Sequence, residues 1–247
     1  MPLNEPLQRA ISHWPHWGDV FTSKPEIICR LQGGLTNESY LLEADGKKVV
    51  LRLNSGNSEQ LGINRHHEAV ILAVVANAGI APMVHYCSPE EGVLVTAYID
   101  GQPLDITRPE TISRVRCLLE KVHRLRPDIP VFDYIRHVTD YQKITGWQGA
   151  CQQITPLLEK LQSASGRGLC HHDPVPANFI DADGRLYLLD WEYAGLGAPE
   201  FDLAAARAEF STFCVTSRYA DELIFAADRV YQHSCQLWKR LNSSHSS

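Results

Sequence analysis

His171, Asp173 and Asn178 are spaced as His-x-Asp-x-x-x-x-Asn, and Asp190 follows twelve residues later, closing the apolar run Leu186-Tyr187-Leu188-Leu189. These residue types suit phosphoryl transfer. A hydroxyl attacking phosphorus needs a carboxylate to hold it in line and accept its proton, and Asp173 fits that role. The departing nucleotide carries several negative charges, and the hard ion Mg²⁺ that would neutralise them takes oxygen ligands, here the Asn178 amide and the Asp190 carboxylate. One short hairpin therefore offers a base and two metal-ligand positions. The competing reading is Asx-turn chemistry in a proline-rich loop for Asp173 and Asn178, with Asp190 capping a strand end.

The elements that must position this hairpin can be read from pattern. Residues 27–31, 38–43 and 47–53 combine β-branched or aromatic residues with turn signals, and Asp45-Gly46 is a hairpin turn between the last two. Residues 64–78 are helical, with Glu68 leading an apolar run that ends at Gly79 and then Pro82. Strands are expected at 83–87 and 92–98, a polar break at 99–103, and helices at 109–125, 147–161 and 218–241. A sheet with one helix, followed by helices around a catalytic hairpin, makes an α+β protein. Between the first two strands lies Gln32-Gly33-Gly34-Leu35-Thr36-Asn37. Glycines there would let backbone amides approach phosphate oxygens, which assigns Gly33, Gly34, Thr36 and Asn37 to nucleotide binding. The segment lacks both G-x-G-x-x-G and a P-loop Lys-Ser/Thr, so an ordinary turn stays open.

Three blocks occur in order: His171-His172-Asp173-Pro174-Val175-Pro176-Ala177-Asn178-Phe179-Ile180, Leu189-Asp190-Trp191-Glu192-Tyr193-Ala194-Gly195 and Phe201-Asp202-Leu203-Ala204. Together they resemble the choline kinase, thiamine kinase and aminoglycoside phosphotransferase superfamily of small-molecule kinases. The resemblance implies a bilobal protein-kinase-like fold, with an antiparallel β-sheet N-lobe at about 1–98, a linker at about 99–107 and a mainly helical C-lobe at about 108–247. It implies ATP and Mg²⁺ as cofactors. Arg52 stands where a protein kinase places its ATP-clamping lysine, and a guanidinium can contact two phosphate oxygens at once. Glu68 is then its natural partner, on a helix that resembles that of bacterial choline-kinase-like proteins. The backbone of Ala97 and Ile99 would read adenine. Asp202 would brace the catalytic loop, and His171 would bond the loop backbone or Asp202. Trp191-Glu192 follows Asp190 where protein kinases carry Phe-Gly, and no Ala-Pro-Glu segment occurs, so a protein substrate is not expected.

The bulk properties agree. The chain has 247 residues, 44% of them hydrophobic, enough for one kinase-like domain of two lobes. No apolar run is long enough to span a bilayer, and the N-terminus lacks signal-peptide order, so a soluble cytoplasmic protein is the expectation. Seven scattered cysteines without a C-x-x-C pair read as reduced thiols. A net charge of −6 disfavours nucleic-acid binding. For the acceptor, Glu192 and the Trp191 ring would stabilise a cationic alcohol of the choline or thiamine type. Trp147, Phe210, Tyr219 and Trp238 could line the helical lobe, with ordinary packing as the competing reading. An aminoglycoside or other small-alcohol phosphotransferase, or a non-catalytic nucleotide-binding protein on the same fold, remains the alternative.

Overall fold

The computed structural model describes residues 5–32, 37–147, 149, 151–210, 213–214 and 220–243. The chain divides into two compact units, Met1–Gln102 with Ala182–Glu192, and Pro103–Asp181 with Tyr193–Ser247. The chain first passes from one unit to the other between Gln102 and Pro103. The segment Ala182–Glu192, which the sequence places with the helical half, groups with the first unit.

In the first unit, α1 (Glu5–Ser12) precedes β1 (Glu26–Leu31), β2 (Glu38–Ala44), β3 (Lys47–Leu53), α2 (Arg65–Asn77), β4 (Val84–Ser88) and β5 (Val93–Ala97). The strands form one antiparallel sheet in the order β1-β2-β3-β5-β4. Asp45 and Gly46 turn the β2–β3 hairpin with φ of 53° and 71°, the left-handed pair that matches strand twist. Because side chains alternate along a strand, Val49 and Leu51 of β3 enter a core with Leu7, Ile11, Trp17 and Phe21, and Arg52 faces the other way. The Asn64 side chain caps α2 by accepting from the amides of His66 and His67, both at 3.0 Å. After the two-residue strand β6 (Gln102–Pro103), the chain enters the second unit.

That unit holds α3 (Thr111–Val122), α4 (Tyr134–Thr145), α5 (Cys151–Ser163), β7 (Gly168–Cys170), β8 (Phe179–Ala182, whose last residue groups with the first unit), β10 (Gly195–Gly197), α6 (Pro199–Glu209) and α7 (Asp221–Ser243); β9 (Arg185–Leu188) belongs to the first. Tyr134, Val138, Leu158, Leu161, Phe201 and Val230 are among the residues that bring α4, α5, α6 and α7 around one core. The pattern did not reveal α1 or α4. No described helix is long and apolar enough to cross a membrane. Cys29, Cys87, Cys117, Cys170, Cys214 and Cys235 carry free thiols.

Candidate active-site residues

The second unit carries the loop from His171 to Asn178. β7 leads into it, and Pro174 and Pro176 restrict its backbone between Asp173 and Asn178. The Asn178 side-chain nitrogen donates to the Asp173 carbonyl at 2.9 Å and to its carboxylate at 3.2 Å. The base position and the amide are thus adjacent, and the atom Asn178 has for a cation is its oxygen.

Asp202, from the first turn of α6, supports this loop from below. Its carboxylate accepts from the backbone N–H of His171 at 2.9 Å and of His172 at 2.8 Å, with the His123 ring 3.0 Å away. Burial pushes the Asp202 pKa up, but the hydrogen bonds from the His123 ring and the His171 amide outweigh it, leaving the group below 3.8. The stabilisation from its charged form is therefore complete above pH 3.8 and is lost as pH falls through the lower folded value. His123, Cys170 and Asp202 present ligand-type atoms within 4.8 Å of one another. Both Asp202 oxygens already receive loop amides, which suits a brace better than a metal ligand. Asp202→Asn leaves one buried amide facing an NH₂ group instead of an oxygen, and we expect it to lower stability by about 3 kcal/mol. An unfolding free energy, from denaturant titration, lowered by less than about 1 kcal/mol would show that the brace matters little.

His172 is held at a φ of 68°, uncommon for a side-chain-bearing residue. Its Nδ1 lies 2.9 Å from the Tyr193 carbonyl, which can only accept. Nδ1 therefore carries the proton, and Nε2 accepts from the Tyr134 hydroxyl at 2.8 Å, which itself accepts from the Ala198 amide at 3.1 Å. The ring is neutral in this arrangement, and burial first of all lowers its pKa to about 4. A side chain on Gly197 would lie 2.5 Å from the Tyr134 hydroxyl oxygen and 2.7 Å from His172 Nε2, so only glycine fits there.

In the first unit, Arg52 Nη2 meets Glu68 Oε1 at 2.7 Å, and its Nε donates to Asn54 at 3.0 Å. Burial would lower the Arg52 pKa, but Glu68, then Asp190 and Glu192, raise it, so the cation is secured. The pairing extends further than sequence reasoning reached. Arg65 donates to Glu68 at 2.7 Å, to Glu192 at 3.1 Å and to Asn37 Oδ1 at 2.9 Å, and Asn37 Nδ2 donates to Glu192 at 2.8 Å. The signal for Arg65 was its i, i+3 spacing to Glu68. Asp190 is exposed and left-handed at φ 63°, at the end of a strand held by the Leu188 amide on the Ile80 carbonyl at 2.9 Å. Arg52, Glu68, Arg65 and Glu192 form a set of two cations and two anions, and the exposed Asp190 beside them is a carboxylate, the oxygen-donor type that a hard divalent ion takes.

Two assignments are corrected. Trp191 is 1% exposed, with its indole N–H donating to the Leu188 carbonyl at 2.9 Å, so its ring packs inside the protein instead of facing an acceptor. Glu192 is buried and held by Arg65 and Asn37, which makes it a strut of the ion network and not an open counter-charge. Asn37 likewise turns its amide into that network, not toward a phosphate. Gly33, Gly34 and Thr36 lie outside the described residues, as does Tyr219. The Ala97 N–H donates to the Met83 carbonyl at 2.8 Å, and Ile99 lies just past the end of β5.

Aromatic rings gather in the second unit. Tyr141 stacks on Trp238 at 6.4 Å between centroids, Tyr193 meets Trp238 edge-on at 6.1 Å, and the two tyrosine hydroxyls are 3.5 Å apart. His137 lies tilted beside Tyr141 at 4.5 Å, and burial holds its pKa at about 4, so the imidazole is uncharged at neutral pH. Trp147 is already faced by Arg240, 4.5 Å from its ring, and Phe210 is buried against Phe179.

A family model described as the phosphotransferase enzyme family matches residues 27–240. Protein LicA of Haemophilus influenzae is 29% identical, over 86% of this chain and 73% of its own. Ethanolamine kinase 2 of Mus musculus is 27% identical, over 83% of this chain and 58% of its own. The solved structure of choline kinase LicA from Streptococcus pneumoniae has a TM-score of 0.74 at 24% identity, covering 90% of this chain and 88% of that one. The fold is therefore that of the kinase-like phosphotransferases.

Proposed function

Because the chain belongs to the phosphotransferase enzyme family, we propose that it moves the γ-phosphoryl of ATP onto the hydroxyl of a small cationic amino alcohol of the choline or ethanolamine kind. The Asp173–Asn178 pair carries this reading. Asp173 holds the acceptor hydroxyl in line with phosphorus and takes its proton as the new O–P bond forms and the bond to the ADP oxygen breaks. Asn178, through its amide oxygen, and Asp190, through its carboxylate, would hold Mg²⁺, which supplies neutralisation of phosphate charge when bound. Arg52, fixed by Glu68, contacts phosphate oxygens. Adenine presents an amine donor beside a ring-nitrogen acceptor, which the Ala97 carbonyl and the Ile99 N–H complement. The names of mouse ethanolamine kinase 2 and of the solved choline kinase support the acceptor class.

With Glu192 held by Arg65, the acceptor's positive charge falls to ring faces. Tyr193 and Trp238, both partly exposed, are the rings that can meet a quaternary ammonium, each contact contributing on the order of 1 kcal/mol. ADP release should be measured with choline, ethanolamine, thiamine, a sugar alcohol and an aminoglycoside, and with 3,3-dimethylbutanol as the uncharged twin of choline. Choline should exceed its neutral twin at least about tenfold in kcat/KM, and Trp238→Leu should shrink that ratio. Equal rates for the pair, or turnover of only the sugar or the aminoglycoside, would sink the amino-alcohol assignment.

A further inference from the structure

We propose that Arg65 is the positioning residue of the first unit, coupling the Arg52–Glu68 pair to the turn that carries Asp190; the proposal rests on the kinase reading above. Arg65 opens α2 and is only 9% exposed at its side chain. Its three nitrogens reach four partners: Nη1 on Glu68 Oε2 at 2.7 Å and Glu192 Oε2 at 3.1 Å, Nη2 on Asn37 Oδ1 at 2.9 Å, and Nε on Ser58 Oγ at 3.1 Å. These partners come from three other places in the chain as well as the helix itself. Asn37 directly follows the glycine-bearing segment 33–36, and Glu192 is two residues past Asp190. One planar fork thus reaches α2, the residue after that segment and the residues after β9.

The geometry explains why this residue is an arginine. Glu68 and Glu192 share a single donor nitrogen, so their carboxylates are held close together and both are 3% exposed. Without a cation between them they repel in a poorly screened environment, and one must move or take a proton. Lysine keeps the charge but cannot present this fixed fork to four acceptors at once. Glu68 in turn sets Arg52, meeting it with Oε1 while Oε2 takes Arg65. Displacing Glu192 perturbs the backbone leading back through buried Trp191 to the left-handed Asp190. Arg65 touches neither phosphate nor acceptor in this account. It acts through Arg52 and Asp190.

A merely structural role would lower the melting temperature and the active fraction, leaving both Michaelis constants alone. A positioning role predicts a split. Arg65→Lys should raise KM for Mg-ATP about tenfold while KM for the alcohol stays within about twofold. Glu192→Gln should show the same split, and Arg65→Lys combined with Glu192→Gln should cost less than the product of the single effects. These measurements are made on full-length protein, with folding of each variant checked by thermal melting. If wild-type protein turns over an alcohol but Arg65→Lys leaves both constants unmoved, raises the alcohol's alone, or combines multiplicatively with Glu192→Gln, the proposal is overturned and the kinase reading stands. If wild-type protein consumes ATP no faster with any alcohol offered than with none, the kinase reading falls and takes this proposal with it.

Discussion

Asp173→Asn should reduce kcat by about a thousandfold while leaving Mg-ATP affinity within about threefold. The substituted amide can still hold the acceptor hydroxyl by a hydrogen bond, but it cannot take the proton as the O–P bond forms. The loop should keep its shape, because the Asn178 side chain is anchored first on the backbone carbonyl of residue 173, at 2.9 Å. The amide oxygen of the new side chain can receive the second bond, now 3.2 Å long. Loss of rate would therefore report loss of the base and not collapse of the site. Steady-state turnover with saturating alcohol, set beside calorimetric titration with Mg-ATP, separates the two. A variant that keeps a tenth or more of the wild-type rate would remove Asp173 from the chemistry.

The parts of the fold that could be read from sequence are those whose information is local. The β2–β3 hairpin is announced by Asp45-Gly46, since few residues adopt the left-handed angles that two-residue turn demands. The second helix is bounded by Asn64, whose side chain caps it, and by Gly79 at φ 66°. The helix α4 was missed although it carries both marks, an Asp133 cap and Gly146 at φ 64°. Its interior holds Ile135, Val138, Thr139, Tyr134 and Tyr141, whose branched and aromatic side chains lower helix propensity, and its packing against α5 and α7 decides the matter. The helix α1 is only eight residues long and gains its order from the sheet core it joins.

The same division runs through the site. Asp173, Asn178 and Asp190 are proposed from the sequence because their residue types and order are those that phosphoryl transfer asks for. The pairing of Arg52 with Glu68 follows from strand and helix positions sixteen residues apart. Arg65 was invisible as a hub because its partners Asn37 and Glu192 lie 28 and 127 residues away, and no periodicity relates them. Glu192 and Trp191 were misassigned for the same reason. A carboxylate beside an aromatic ring reads as a cation site until the fold shows that an arginine already holds it.

Asp190→Ala should lower kcat/KM by about a thousandfold and abolish the dependence of ATP affinity on Mg²⁺. The argument is one of charge. Arg52, Glu68, Arg65 and Glu192 balance one another, so this buried set has little net positive charge to set against a triphosphate. On the proposed kinase reading a divalent ion would supply the neutralisation, and Asp190 is the exposed carboxylate beside that set. The backbone complicates the alanine variant, since residue 190 sits at φ 63°, where alanine costs about 1 kcal/mol more than a residue that tolerates the left-handed region. Asp190→Asn supplies the control: asparagine accepts that conformation and keeps one oxygen ligand, but lacks the charge. If charge on the metal ligand is what matters, both variants should bind ATP equally well with Mg²⁺ and with EDTA, whereas wild type binds it more tightly with Mg²⁺. If only the backbone mattered, the asparagine variant would retain the wild-type metal dependence, and Asp190 would lose its place as a ligand.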